Sequence, residues 1–298
     1  MKSLMSPSEL ARAVGVSESS LKRWVDEGRI NASRTAGGHR RIPIAEAIRL
    51  IRETGLPVRH PELLGIPELA ETESDPARIH ADAPTQLEDA LRAGNAGQAR
   101  GLILAAYLDG RPVAEICDDL VSVAMRQIGH LWTTGPEGIY IEHRATDLCT
   151  QALQSLRTLI PRPDPPGPTA IGGAPGGDQH TLASLMAASV LAAEGYNEIN
   201  LGGETPLDIL AEAARTNEAS LIWVAMNTPR PQNELARLTK QIERLSDELA
   251  GPDVHLVIGG NHVPEPLRRQ QRANIYFGGS MSELAAFARG LHGSLAGK

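Results

Sequence analysis

With 298 residues, 41% of them hydrophobic and 22% charged, the chain has room for two or three domains and an ordinary folded composition, which excludes a disordered or collagen-like polymer. Two cysteines, Cys117 and Cys149, are too few for a disulfide framework, and burial is a plainer reading of them than a metal pair. The opening MKSLMSPSEL lacks the apolar run of a signal peptide, and no stretch approaches the roughly 18 apolar residues of a membrane span, so a cytoplasmic protein with no membrane partner is expected. The formal charge of −7 is uneven: residues 1–54 hold ten Lys/Arg against six Asp/Glu, a net +4 that leaves −11 on the remainder. A small basic module on an acidic body suits nucleic-acid binding through one end.

Residues 1–54 predict a helix-turn-helix followed by a wing. In SPSELARAVGVSESSLKRWVDEGRI, Ser6 or Ser8 caps a first helix whose inner face is Leu10, Ala11 and Val14. Gly15 permits the turn, and Ser17 caps a second helix with Leu21, Trp24 and Val25 inward. That capping leaves Ser19, Ser20, Lys22 and Arg23 outward, where a recognition helix presents donors to bases and phosphates. NASRTAGGHRRIP then reads as a hairpin with Gly37–Gly38 supplying positive φ at its tip and Arg34, His39, Arg40 and Arg41 placed to lie along phosphates.

The five prolines at 57, 61, 67, 76 and 84 make residues 55–84 a predicted linker. Between 85 and 160, apolar residues recur at three and four (Leu87, Leu91; Leu102, Ile103, Ala106, Tyr107; Ile116, Leu120, Val123, Ile128, Leu131), and a last helix is expected from about Ile141 to Leu159. This predicts a four-helix bundle. PRPDPPGP then makes residues 161–167 a proline-rich linker. From 168 to 298, short apolar runs (Thr169–Gly173, Glu198–Gly202, Leu221–Met226, His255–Gly260, Ile275–Gly278) alternate with helical patterns near 180–194, 206–216, 231–250 and 281–291. Such alternation predicts a doubly wound parallel sheet of the flavodoxin-like kind, which binds ligands beyond the carboxyl ends of its strands.

SLKRWVDEGRI with its GGHRR wing resembles the winged helix-turn-helix of MerR-family regulators over about fifty residues. That resemblance implies operator DNA as a partner; a winged helix that binds protein is the alternative. In the third segment, Asp178 and His180 follow the first strand, and a carboxylate holding an imidazole is an arrangement that orients a metal ligand. GGAPGGDQHTLASLMAASVLAAEGYNEINLGGETPLDIL resembles the cobalamin-binding domain of methionine synthase, mutases and corrinoid carriers. In that family an Asp-x-His-x-x-Gly loop supplies the lower cobalt ligand and the displaced nucleotide tail inserts beside the sheet. The resemblance therefore implies His180 as cobalt ligand, with Asp178, Ala183 (in place of the glycine), Gly202, Thr205, Ala225, Gly259 and Gly260 around the cofactor. Gly202, Gly203, Thr205 and Pro206 mark the turn after the second strand, and Gly259–Gly260 would let the tail approach the backbone. Ala225 and Asn227 stand where the family has Ser-x-Leu; Thr228 is the nearby residue able to restore a hydroxyl.

Trp132 and Glu142–His143 form a W-x9-E-H pattern similar to that of CarH/LitR-type, B12-dependent photoreceptors of the MerR family. There the three side chains lie over the upper face of the cofactor, an indole wall with a carboxylate and an imidazole to hydrogen-bond the adenosyl group. Taken singly, they also read as a bundle-core tryptophan and a solvated turn. The resemblance implies an adenosylcobalamin-dependent, light-responsive repressor that holds operator DNA as a homo-oligomer, dimer or tetramer, in darkness and releases it on photolysis. Thr133 stands where some light-responding members carry an imidazole just after the tryptophan. This keeps open a regulator that senses cobalamin or another tetrapyrrole without light. A corrinoid methyl carrier is the alternative of another class, but it leaves the winged module unused. No independent catalytic constellation is visible, so a non-enzyme is expected.

Overall fold

A computed structural model describes residues 4–72, 76–131, 135–249, 254–269 and 272–296, with the backbone alone at 76–81 and 293–296. The chain forms two compact units, Met1–Pro161 and Arg162–Lys298.

The first unit begins with the winged module. Strand β1 (Leu4–Met5) leads into helix α1 (Pro7–Val14), which Ser6 caps in a capping box with Glu9, deciding between the two serines. Gly15 closes α1 at φ 73°, the left-handed conformation that glycine adopts without strain. Ser17 caps α2 (Glu18–Asp26) through Ser20 N, as expected. Leu10, Ala11, Val14 and Leu21 are buried. Trp24 and Val25 are only half-buried, because the Trp24 ring is covered by the Arg29 guanidinium at 5.2 Å while Ile30 fills the core. Strands β2 (Ser33–Arg34) and β3 (Arg40–Pro43) form the hairpin, and β1 adds a third strand to give the order β1-β3-β2. Only one tip glycine takes positive φ, Gly38 at 78°, whose N–H bonds Thr35 O, so the tip is a single left-handed residue after a turn. Helix α3 (Ile44–Thr54) completes the module.

The proline-bearing stretch 55–84 is not the linker expected. Pro61 and Pro67 open 3-10 turns at Pro61–Leu64 and Pro67–Glu71, where their missing N–H is no loss. Helix α4 runs Pro76–Ala93 straight through Pro84. An internal proline costs a helix about 3 kcal/mol, and here burial of Leu87, Ala90 and Leu91 offsets it. Backbone N–H groups of Arg59 and His60 donate to Ala13 O at the end of α1, and Leu64 and Ile66 are buried. The stretch is thus a packed connection between α1 and the bundle.

The bundle comprises α4, α5 (Ala96–Leu108), a third helix made of α6 (Val113–Glu115), a π-helical turn Ile116–Val121 and α7 (Ser122–Gly129), and α8 (Pro136–Arg157). Helix α5 is buried from Leu102 to Leu108 between α8, α4 and the Pro67–Glu71 turn. Cys117 and Cys149 are free and buried in it, and burial pushes the Cys149 thiol up to about 12. Two contacts fasten earlier elements to α5, one from the winged module and one from the Pro67–Glu71 turn. Arg52 of α3 stacks 3.7 Å over the Tyr107 ring while donating to Tyr107 O and Arg111 O. Arg100 pairs with Glu68 at 2.6 Å. A Cβ at Gly101 would stand 2.5 Å from Glu68 O, a backbone atom that cannot step aside. Gly101→Ala is therefore expected to destabilise the unit by about 1–3 kcal/mol, read as a lowered thermal midpoint; an unchanged midpoint would show that the turn is not seated on α5.

The second unit is the predicted parallel sheet. Strands β4 (Thr169–Gly173), β5 (Asn197–Asn200), β6 (Leu221–Ala225), β7 (His255–Gly259) and β8 (Ile275–Gly278) lie in the order β5-β4-β6-β7-β8, all parallel. Helices α9 (Thr181–Ala193), α10 (Leu207–Thr216), α11 (Gln232–Glu248), the short α12 (Glu265–Arg268) and α13 (Met281–Ala296) connect or follow them. Two-residue alternation splits β6: Ile222, Val224 and Met226 pack with Leu210, Leu238 and Ile242 of α10 and α11, while Trp223 faces α9. The strand order reverses between β4 and β6, so the loops that follow these two strands diverge from one crevice.

Candidate functional site

Three groups of candidate residues are built by these elements. On the winged module, Lys22 and Arg23 are well exposed on α2, tied only by i,i+4 pairs to Glu18 (2.7 Å) and Glu27 (3.7 Å). Such surface pairs contribute little and exchange readily for phosphate. Ser19 and Ser20 are partly committed, since both hydroxyls bond the Ser17 cap at 2.9 and 2.8 Å. Arg34 and His39 are exposed on the wing and Arg41 is half-buried. Arg40 is different: its Nη2 donates to Asp26 Oδ1 at 2.7 Å, joining the wing to the end of α2. The composition of this segment hid that partner, because an acidic residue on a basic module reads only as charge dilution. A groove of about 300 Å3 lies between the start of α1, Lys22 and the wing residues His39, Arg40 and Arg41.

The second group lies at the carboxyl edge of the parallel sheet. Asp178 closes the loop after β4 and is buried, with 1% of its surface exposed. Its Oδ2 accepts the backbone N–H groups of Asn227 (2.5 Å) and Thr228 (2.9 Å) from the loop after β6, so one carboxylate staples both loops of the crevice. Its Oδ1 accepts His180 N at 3.0 Å and faces His180 Nδ1 at 3.1 Å. Burial pushes the Asp178 carboxyl up, but the N–H groups of Asn227, His180 and Thr228 and the Thr228 hydroxyl outweigh it and hold the acid below its ordinary value. A carboxylate only accepts, so Nδ1 carries the imidazole proton, shared with Thr228 Oγ1 at 3.1 Å. Nε2 makes no hydrogen bond among the described residues, on a side chain that is 60% exposed. That is the state required of a metal-binding histidine.

Further residues brace this loop. Glu204, at φ 52°, accepts Gly177 N at 2.7 Å, and Arg230 donates to Gly176 O at 2.7 Å. Neither was foreseen, since both follow different strands from the loop they hold. A Cβ at Gly203 would come 3.0 Å from Asp178 O, so the turn passes close to the loop there. Ala183 is half-buried on the first turn of α9. Gly202 adopts φ 80°, with its N–H on Asn200 Oδ1. The Thr205 hydroxyl is spent on Leu201 O and Gly203 O within its own turn. Ala225 is buried and pairs with Gly259 at the ends of β6 and β7. At Gly260, φ 111°, a Cβ would run into the Met226 backbone, so the fold itself requires glycine there. Against cobalamin, the donor set fits: one exposed imidazole whose Nδ1 is held by a buried carboxylate.

The third group is in the bundle. Glu142 and His143 are on the second turn of α8, not in a solvated turn; Glu142 accepts from Thr146 Oγ1 at 2.9 Å and His143 Nε2 lies 3.9 Å from Glu142 Oε2. His143 is 70% exposed. Trp132 and Thr133 lie outside the described residues. Among the described residues no helix is long and apolar enough to cross a membrane.

Comparison with known proteins decides what these units are. The sequence model of the MerR family regulatory protein matches residues 6–42, and that of the B12 binding domain matches residues 85–157, the helical bundle. The architecture is of the CarH/LitR type. This pairing of a MerR regulatory domain with a B12 binding domain supports cobalamin-sensing transcription regulation, with a DNA-binding helix-turn-helix and a cobalamin cofactor. The chain is also similar to glutamate mutase sigma subunit 1 of Haloarcula marismortui, 33% identical over 95 residues, which make up 31% of this chain and 58% of that relative. Its fold resembles that of the monomethylamine corrinoid protein of Methanosarcina barkeri (TM-score 0.53, 18% identity, 71% of this chain and 100% of that one). B12-binding domains occur in enzyme subunits as well, and the MerR match is the finding that suggests a regulator.

Proposed function

We propose that the chain is an adenosylcobalamin-dependent, light-responsive repressor that binds operator DNA as a homo-oligomer in darkness and releases it after illumination. The observation that carries the cofactor part is the Asp178–His180 pair: Nδ1 is occupied, Nε2 is free, and the loop that presents them is stapled to the next one by the same carboxylate. His180 would supply a nitrogen to the cobalt, and Trp132, Glu142 and His143 would recognise the adenosyl group, as in the proteins the sequence resembles. Bound adenosylcobalamin supplies a cobalt–carbon bond that visible light cleaves. The chain's own residues do the rest. His180 fixes the corrin, the α8 pair reads the upper group, and α5, packed against both α8 and the Pro67–Glu71 turn, links the bundle to the winged module. Oligomerisation multiplies the DNA modules on one particle, so effective concentration ties ligand state to operator affinity.

A second reading, a regulator that responds to the presence of cobalamin without light, is favoured by Thr133 beside Trp132. The two are separated by recording the absorption spectrum, the oligomer mass and operator binding of the adenosylcobalamin-loaded chain in darkness and after green light. Light should change all three, and the coupling should fall in the usual allosteric range of about 5–150-fold in affinity. If adenosylcobalamin alters mass and DNA binding but light does not, the sensor reading stands and the photoreceptor falls. If adenosylcobalamin leaves both properties as in the apo chain, cobalamin control itself is wrong.

A further inference from the structure

The indole of Trp223 occupies a position that bears on which corrinoids this chain can take. Trp223 is the third residue of β6 and is 2% exposed. Its ring lies across β4: a Cβ at Gly172 would overlap the indole, so the glycine and the tryptophan are complementary. Indole Nε1–H donates to Ser184 Oγ at 2.9 Å, and the Ser184 hydroxyl donates to Asn200 Oδ1 at 2.8 Å, which also accepts Gly202 N at 3.1 Å. Ser184 is fully buried one turn into α9, four residues after the helix's N-cap, His180. The ring is therefore held at a fixed place between the first turn of α9, the helix that His180 caps, and Gly172 near the carboxyl end of β4.

The chemistry of the ligand makes this position matter. A cobalamin carries its nucleotide on the same face of the corrin as its lower ligand. When an imidazole takes that coordination site, the aromatic base and its ribose phosphate are released on the histidine's side, toward the sheet. To be buried there the base needs a flat slot between a helix and the strand ends. Resting on the reading of His180 as cobalt ligand, we propose that Trp223 fills this slot as a permanent side chain. The chain then holds a corrinoid through cobalt and corrin, with the nucleotide tail outside the sheet and nearly irrelevant to recognition. Corrinoids with a different lower base, or with none, should be accepted about as well.

The test is to titrate the full chain in darkness with adenosylcobalamin and with adenosylcobinamide, which has the same corrin and upper group but no nucleotide, following absorbance. Wild type should bind the two within about threefold. Trp223→Ala should open the slot and shift the ratio toward cobalamin by about tenfold or more. Because that variant removes a buried ring and risks unfolding, the 31P line of the tail phosphate is measured on wild type as well. A narrow line at the position of free base-off cobalamin supports the proposal; a broadened, shifted line overturns it. A wild-type preference for cobalamin above about tenfold also overturns it while leaving His180 as ligand. Binding of neither corrinoid would remove the His180 reading and this inference together.

Discussion

His180→Ala is expected to reduce cobalamin affinity by more than 100-fold and to abolish the histidine-ligated spectrum. Loss of an outer-shell partner of a metal ligand already weakens binding about 10–100-fold, and this variant removes the ligand itself. The fold should survive, because the imidazole is 60% exposed and its loss frees no buried charge. Asp178→Asn tests the other half. The carboxylate accepts N–H groups from His180, Asn227 and Thr228, and a carboxamide in its place would direct a donor at one of them. Each buried bond left unmade costs about 1–3 kcal/mol, so this variant should lose thermal stability as well as affinity. The signature to look for is therefore a split: alanine at 180 changes binding with the melting midpoint intact, and asparagine at 178 changes both. Unaltered affinity and spectrum in His180→Ala would eliminate the lower-ligand assignment. The linkage with pH follows from the depressed Asp178 pKa: the staple contributes stability above the ordinary carboxyl value and loses it as pH falls through the lower folded value.

How much of this was legible in the residues depended on whether the cause was local. Serine caps, a left-handed Gly15 and period-3.6 apolar faces identified α1 and α2 because each signal acts within one turn. The five strands were found to within two residues at each end, since buried parallel strands read as short continuous apolar runs. The stretch 55–84 departs from the linker that its prolines predict, because three of them open helical turns and Pro84 is carried by the packing of α4. The Asp178–His180 pair was visible as a two-residue spacing, but its staple to Asn227 and Thr228 was not, because strand order alone brings those loops together. Trp223 looked like one more core residue of an apolar strand. Its pairing with Gly172 and Ser184 across β4 and α9 has no counterpart in sequence spacing.

On the DNA side, Arg40 and Arg41 should fail differently although they are neighbours of the same charge. Arg41 is tied into the hairpin through its backbone, by pairing with Ser33 and by accepting the Ser33 hydroxyl, and it borders the groove between the wing and Lys22. Arg41→Ala should weaken operator binding and lower the slope of log affinity against log salt by about 0.9, one phosphate contact's worth of released counterions. Arg40 holds Asp26, so its guanidinium charge is partly cancelled and its main work is to fix the wing to the end of α2. Arg40→Ala and Asp26→Ala should therefore resemble each other, each misplacing the wing and costing about 10-fold or more in specific affinity, with non-specific binding much less affected. If Arg40 instead touches phosphate and Asp26 only screens it, Asp26→Ala will bind DNA more tightly than wild type, since a negative charge has left the interface. The sign of the Asp26→Ala effect thus separates the two roles. A double variant, Asp26→Ala with Arg40→Ala, refines the answer: a pair acting only through its own contact loses no more than either single change. Measurement needs a fluorescent operator duplex, a scrambled duplex and salt concentrations from about 50 to 200 mM. Should both single variants keep wild-type affinity and salt slope, the wing is not part of the DNA-binding surface, and recognition rests on α2 alone.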